Sequence, residues 1–228
     1  MRSNKNNLQV LFEDNHLIIV NKRSGDIVQG DKTGDTPLNE VVKGYLKDKY
    51  NKPGNVYLGT VHRLDRPTSG VVIFSRTSKA LERLNKMLRD KKIDKTYWAI
   101  VKNQPPKSQD TLINWLKKNP KNNKSTAFKQ EIDGSKKAIL HYQLKKELDS
   151  YFLLEIDLET GRHHQIRSQL ARIGCPIKGD LKYGFNRSNK DGSIHLHARK
   201  IAFTHPVTKE EITITAPVPK DVIWEACE

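Results

Sequence analysis

The apolar residues of this chain are gathered into short runs, of which Leu17-Ile18-Ile19-Val20 and Val71-Val72-Ile73-Phe74 are the densest. None approaches the roughly 18 residues that a membrane-spanning helix requires. Short β-prone runs bounded by polar turns predict strands. Leu8-Gln9-Val10-Leu11-Phe12 and Leu17 to Val20, separated by Glu13-Asp14-Asn15-His16, predict an opening strand pair. Thr96 to Val101, Ala138 to Leu144, Phe152 to Leu158, Ile194 to Phe203 and Ile212 to Ala216 repeat the extended habit.

Helical periodicity is scarcer. Leu38, Val41, Val42, Tyr45 and Leu46 follow it behind Pro37 at the first helical position and Thr36 as N-cap. A second helix is predicted from about Ser78 to Asp90, with Leu81, Leu84, Met87 and Leu88 on one face and Thr77 or Ser78 as cap. A third, short one carries Ile166, Leu170 and Ile173 and stops at Gly174, with Pro176 barring its continuation. Too few helices are available to serve as parallel crossovers. The expected class is therefore α+β, a mixed, mainly antiparallel sheet flanked by helices. Between Gln104 and Lys137 the chain is rich in Lys, Asn and Pro, and Lys117 to Lys124 reads as a mobile basic loop or a hairpin tip.

Charge narrows the partners. Against 26 acidic residues stand 41 Lys and Arg, a formal net charge of +15 over 228 residues. Such a balance favours a polyanion, because each phosphate contact releases condensed counterions, although a basic surface also serves solubility alone. The N-terminus is polar with no apolar region behind it, so neither secretion nor a membrane partner is expected, and the compartment expected is the cytoplasm. Cys175 and Cys227 form no CxxC pattern and read as reduced thiols, which leaves no structural zinc site through cysteine. Length favours one domain over residues 1–228.

Two polar segments carry chemistry. Val61-His62-Arg63-Leu64-Asp65-Arg66-Pro67-Thr68-Ser69-Gly70 sets a carboxylate among cations, hydroxyls and a glycine. On its own it fits an ion pair of Asp65 with Arg63 or Arg66 and turn hydrogen bonds from Thr68 and Ser69. In Glu159-Thr160-Gly161-Arg162-His163-His164-Gln165-Ile166-Arg167 a strand ends at a glycine and releases two arginines, two histidines and a glutamine. Together the segments can build a pocket for an anionic substrate.

The stretch His62-Arg63-Leu64-Asp65-Arg66-Pro67-Thr68-Ser69-Gly70 resembles the signature of the RluA-type RNA pseudouridine synthases. The resemblance extends in order through Lys95-Thr96-Tyr97, Gly161 to Arg167, Pro176-Ile177-Lys178-Gly179-Asp180, Tyr183-Gly184, Leu196-His197-Ala198, His205-Pro206 and Ala216-Pro217. It implies a pseudouridine synthase fold with a central RNA-binding cleft, and isomerisation of uridine in RNA to its C-glycoside. It places the catalytic aspartate on Asp65, which attacks or deprotonates the ribose, and a stacking and proton-removing tyrosine on Tyr97. The motif arginine falls on Arg162, where a positive charge keeps Asp65 ionised and aimed. Ile166 is implied as an apolar wall of the pocket, and Arg63 as the side chain that fills the space of the extruded base. His62 and Arg167 are implied as further substrate contacts.

No cofactor and no metal are expected, because the detached uracil is itself the group that is rotated and returned through carbon. The implied partner is RNA, a large-subunit ribosomal or transfer RNA stem-loop, bound by a monomer with no obligate protein partner. With the first strand starting near Leu8, no N-terminal S4 RNA-binding module is expected, so recognition falls to the catalytic domain and the basic tip around Lys117 to Lys124. The sequence departs from the family at Arg23, where proline is common, and at Gln29, where histidine is common. Two other readings compete. One is a catalytically silent RNA-binding protein. The other is a metal-dependent hydrolase using His163, His164, His195, His197 and His205, although adjacent histidines on a strand would point apart.

Overall fold

In chain order the computed structural model, which describes residues 2–31 and 33–228, opens with β1 (Val10–Glu13), β2 (Leu17–Lys22) and α1 (Leu38–Lys49). β3 (Gly59–Thr60), β4 (Ser69–Ser75) and α2 (Ser78–Arg89) follow. Five strands then run without an intervening helix: β5 (Ile93–Val101), β6 (Gln109–Asn119), β7 (Lys124–Phe128), β8 (Lys136–Glu147) and β9 (Phe152–Leu158). After them come α3 (Gln165–Arg172), a 3-10 turn at Leu181–Tyr183, β10 (Leu196–Thr204), β11 (Glu211–Thr215) and α4 (Val222–Glu225). The chain forms two compact units, one of Met1–Asp94 with Ala198–Pro219, the other of Lys95–His197 with Lys220–Glu228.

In the first unit β2 pairs antiparallel with β1 and β4, β3 pairs with β4, and β10 neighbours β4 and pairs antiparallel with β11. Leu17 and Ile19 of β2, Val71 and Ile73 of β4, and Ile201 and Phe203 of β10 form one core with Ala80 and Leu84 of α2. Side chains alternate along a strand, so Ile18, Val20, Val72 and Phe74 face the other way, and all four are equally buried. A strand buried on both faces reads as an unbroken apolar run, which is why these two runs were the densest in the sequence. Gly70 is essential to this packing. Its φ is +116°, and a Cβ there would lie 2.3 Å from the Ala198 carbonyl oxygen and 2.5 Å from the Ala198 nitrogen. No other residue permits β4 to pass Ala198 so closely.

The second unit orders its strands β5-β9-β8-β6-β7, every pair antiparallel. α3 lies against β6 and β7. Gln169 Nε2 donates to the Leu112 carbonyl at 3.0 Å and to Asn114 Oδ1 at 2.9 Å, and Arg172 donates to the Ala127 carbonyl at 2.8 Å. The helix ends in a paired cap: Gly174 N–H reaches the Ala171 carbonyl and Cys175 N–H the Leu170 carbonyl, with Gly174 at φ +81°.

Several expectations are refined. α1 begins at Leu38 with Pro37 as N-cap and no side-chain cap, so Thr36 does not cap it. Proline's fixed φ already suits the entry, and the Leu38 and Asn39 N–H groups donate to the Ile27 and Val28 carbonyls instead. In α2, Thr77 caps by accepting from the Ala80 N–H. Of the mobile loop and the hairpin tip expected around Lys117 to Lys124, the structure gives the hairpin: β6 and β7 pair from Trp115 opposite Phe128 to Asn119 opposite Lys124. Leu112, Asn114 and Leu116 alternate inward along it, a period-2 signal masked in the sequence because the residues between them, Ile113 and Trp115, are apolar and Asn114 itself is polar. The turn at 120–123 is the basic tip.

Candidate active site

The loop before β4 is held from beneath. Lys22, the last residue of β2, is wholly buried, and its ammonium donates to the carbonyls of Arg23, Arg66 and Thr68 at 2.9, 3.1 and 2.6 Å. Gly25 N–H also reaches the Arg66 carbonyl at 2.8 Å, and Thr68 N–H closes a turn onto the Asp65 carbonyl at 3.0 Å. Asp65 is half-buried on this turn. The two arginines beside it behave differently. Arg66 is turned away to Asp35 at 2.7 Å, Thr33 at 2.7 Å and Asp31 at 3.3 Å. Arg2 and Arg66 hold the Asp35 carboxyl down at about 2. Arg63 is exposed and makes no hydrogen bond or ion pair among the described residues.

Two roles shift here. The turn is fixed by backbone and by Lys22, not by the Thr68 hydroxyl, which is buried without a hydrogen-bond partner among the described residues. His62 Nε2 accepts the Ile73 N–H at 3.2 Å, so the ring anchors the loop to β4. Lys22 is the functional residue that sequence reasoning passed over; the available signal was a lysine ending a strand otherwise apolar enough to be buried on both faces.

Burial lowers the Lys22 ammonium from its usual 10.5 to about 7, while Asp26 and Asp65 pull it back up. The folded state then binds fewer protons than the unfolded chain between those two values. Stability is expected to rise from about pH 7 to about pH 10, and Lys22→Met is expected to flatten that rise in denaturant titrations. The same variant strands three carbonyls beneath the Asp65 turn, at a cost of about 1–3 kcal/mol for each one left unsatisfied.

The second unit gathers the remaining motif residues. Tyr97 sits on β5 opposite Ile156 of β9, 8% exposed, and its neighbour Thr96 is 6% exposed, so both faces of the strand are covered at this point. A Cβ at Gly161 would lie 3.6 Å from Lys95 Nζ, which brings the Lys95-Thr96-Tyr97 and Gly161-to-Arg167 segments together. Gln165 shapes the turn between β9 and α3. Its Oε1 accepts from Arg162 N–H at 2.9 Å and Thr160 Oγ1 at 2.8 Å, and its Nε2 donates to the Ile139 carbonyl at 3.1 Å. Arg162 is exposed, with Nε donating to the Lys137 carbonyl at 3.0 Å. Ile166 is buried in α3 at 5% exposure.

Arg167 sits in a buried ion pair. Its guanidinium is committed to Asp180 through Nε to Oδ2 at 2.7 Å and Nη2 to Oδ1 at 2.8 Å, with both side chains buried. It also lies 5.1 Å over the Tyr183 ring. A buried bidentate pair of this kind locks α3 to the 3-10 turn.

His163 and His164 are likewise not on a strand. His164 takes a left-handed conformation at φ 53°, and the two rings stack at 3.8 Å between centroids. Burial, with Arg167 and other cations nearby, pushes His164 down to about 2, so it is neutral, and its Nδ1 lies 2.9 Å from the Tyr183 hydroxyl. His163 Nδ1 lies 2.8 Å from Ser125 Oγ, and Ser125 N–H donates to the Tyr183 hydroxyl at 2.8 Å. The histidines thus tie the β6–β7 hairpin to the motif. Among the described residues no three His, Cys, Asp or Glu side chains converge on one point to hold a metal ion. His195 and His197 both pack on Trp224, at 5.3 and 5.9 Å between ring centroids.

This α+β arrangement is the fold of a solved human protein, RNA Pseudouridylate Synthase Domain Containing 4, which aligns with a TM-score of 0.77 and 23% identity over 95% of this chain and 90% of that one. The model of the RNA pseudouridylate synthase family matches residues 16–172, through both the Asp65 and the Arg162 segments. Ribosomal large subunit pseudouridine synthase C of Buchnera aphidicola subsp. Baizongia pistaciae is 36% identical over 93% of this chain and 67% of its own length. Ribosomal large subunit pseudouridine synthase D of Xanthomonas campestris pv. campestris is 32% identical over 94% and 67%. The chain belongs to the RNA pseudouridylate synthase family, in its RluA-type branch, whose members are isomerases converting uridine in RNA to pseudouridine. It spans about two thirds of the length of these curated relatives. Among the described residues no helix is long and apolar enough to cross a membrane.

Proposed function

We propose that this protein isomerises one or more uridines of large-subunit ribosomal RNA, with both compact units acting as one catalytic domain. The observation that carries the reading is the Asp65 turn, a half-buried carboxylate on a loop whose carbonyls are pinned by the Lys22 ammonium. A nucleophile or base must be held in one geometry to act on a ribose, and a loop fastened from below provides that. Asp65 attacks or deprotonates the ribose to loosen the glycosidic bond. Tyr97 stacks on the uracil and assists loss of the C5 proton, and Ile166 walls the pocket. Arg63, exposed and unpartnered among the described residues, fills the space left by the extruded base. The detached uracil is rotated and returned, so the reading needs no cofactor, no metal and no protein partner, and it places a monomer in the cytoplasm.

The test is tritium release from C5-labelled ribosomal RNA and, separately, from labelled transfer RNA. Release from ribosomal RNA alone supports the proposed target; release from transfer RNA alone moves it, and release from neither favours the catalytically silent reading. Arg162 is assigned to keep Asp65 charged and aimed. Arg162→Ala is then expected to abolish turnover with RNA affinity within about threefold of wild type. A loss confined to affinity would assign this exposed arginine to phosphate.

The hairpin tip supports an RNA surface. Lys117, Lys118 and Lys121 are exposed on it, and Lys124 is half-buried with its ammonium 5.1 Å from the Tyr183 ring centroid. Replacing all four by Ala is expected to weaken RNA binding and to flatten its dependence on salt, by about 0.7 in log–log slope for each lost contact to a single strand. An unchanged slope would remove the hairpin from the interface.

A further inference from the structure

The second unit contains a pocket of about 360 Å³ that includes neither Tyr97 nor Arg162 and is lined by Lys102, Tyr151, Lys178, Phe185 and Arg187 among others, with no Asp or Glu in its wall. A volume of that order lies in the range of small-ligand sites. Its cations make no ion pair. Lys102, Lys178 and Arg187 have no carboxylate within ion-pair distance among the described residues, whereas Arg66, Arg76 and Arg167 are all paired. Lys178 is half-buried; its ammonium donates to Asn189 Oδ1 at 2.8 Å and stands 5.8 Å over the Tyr151 ring. Burial lowers its proton affinity, an effect that Asp221 and Asp191 oppose from outside the pocket wall. A cation partly stripped of water, with no carboxylate in ion-pair contact, is stabilised by an anion.

The wall is built in advance. Lys178 N–H donates to the Ile100 carbonyl and its carbonyl accepts from His195 N–H, both at 2.9 Å. Asn189 Nδ2 reaches the Ser193 carbonyl at 3.0 Å, Ser193 Oγ at 3.1 Å and His195 Nδ1 at 3.0 Å. Phe185 N–H donates to the carbonyl of Asp180, the residue that holds Arg167. The pocket is therefore joined mechanically to the motif helix, and Lys102 follows Tyr97 along the direction of β5 by about 16 Å.

We propose that this pocket takes an unpaired nucleotide of the substrate RNA at a distance from the target uridine, its phosphate on Lys102, Lys178 and Arg187 and its base against Tyr151. Three cations and an aromatic ring lining one pocket match the phosphate-and-base chemistry by which single-stranded RNA is held. The inference rests on the reading that RNA is the substrate. It adds a second point of attachment for the RNA.

The experiment compares wild type with the double variant Lys102→Ala, Arg187→Ala, two exposed positions, after equal thermal melting shows that both fold. On C5-tritiated ribosomal RNA the variant is expected to raise KM and Kd about tenfold, to keep kcat within about twofold, and to lower the log–log salt slope by about 1.4. Tyr151→Ala is expected to raise Kd with the salt slope unchanged. Unchanged Kd and slope in the double variant would overturn the proposal. Calorimetric titration with uridine 5′-monophosphate separates the sources: binding abolished by the double variant with no change in RNA affinity would make this a free-nucleotide site and overturn the RNA assignment. If wild type releases no tritium, the proposed function fails; RNA affinity measured by fluorescence anisotropy still judges the pocket independently.

Discussion

Asp65→Asn is expected to lose tritium release from uracil C5 by on the order of 10⁴-fold or more, while its affinity for RNA stays within about threefold of wild type. The substitution keeps the shape of the side chain and removes only the charge and basicity. The turn that carries it should survive, because it is held by Lys22, Gly25 and the Thr68 N–H through main-chain carbonyls that asparagine leaves in place. Binding through the basic surface does not depend on this one carboxylate. Full release by Asp65→Asn would mean that another group breaks the glycosidic bond, and loss of RNA affinity in step with turnover would mean that the variant has disturbed the loop.

The second large effect is on stability. Arg167→Met leaves Asp180 as a buried carboxylate, 1% exposed, without its bidentate partner. Removing one member of such a pair costs about 3–5 kcal/mol, which for a chain of this size is a fall in Tm of roughly 6–20 °C. The double variant Arg167→Met, Asp180→Leu is expected to recover most of that loss, since an apolar pair of similar volume removes the desolvation penalty of both charges. Additive losses, with no recovery, would show that the two residues do not act on each other. Activity then separates two roles for Arg167: a refolded double variant that turns over RNA confines it to structure, and one that is stable but inactive returns it to the substrate.

Much of the architecture was legible in the sequence because burial on both faces leaves a strong local signature. The apolar runs of β2 and β4, the 3.6-residue period of α2 with Thr77 at its start, and the Gly174 stop of α3 all report local geometry, and the structure places each within a few residues of its expected position. The β6–β7 hairpin was harder. Its inward residues Leu112, Asn114 and Leu116 include a polar one, satisfied by Gln169 of α3, so the alternation is visible only once the helix is in place. The start of α1 was offset for a related reason, since the groups that accept its first N–H bonds, the Ile27 and Val28 carbonyls, are tertiary and not adjacent in sequence.

The same division runs through the site. Sequence alone determined the family and the excess of positive charge that an RNA substrate answers, and it nominated Asp65 and Tyr97 for the chemistry, because these depend on residue types and their local order. Only the tertiary structure decided what each cation is for. Lys22 and Arg66 hold the loop around Asp65, Arg167 is spent on Asp180, and Arg63, Lys102 and Arg187 are left without ionic partners among the described residues. Lysines and arginines look alike in a sequence whether they face a carboxylate, a carbonyl or solvent. Which of these each one meets is set by residues distant in the chain and adjacent only after folding.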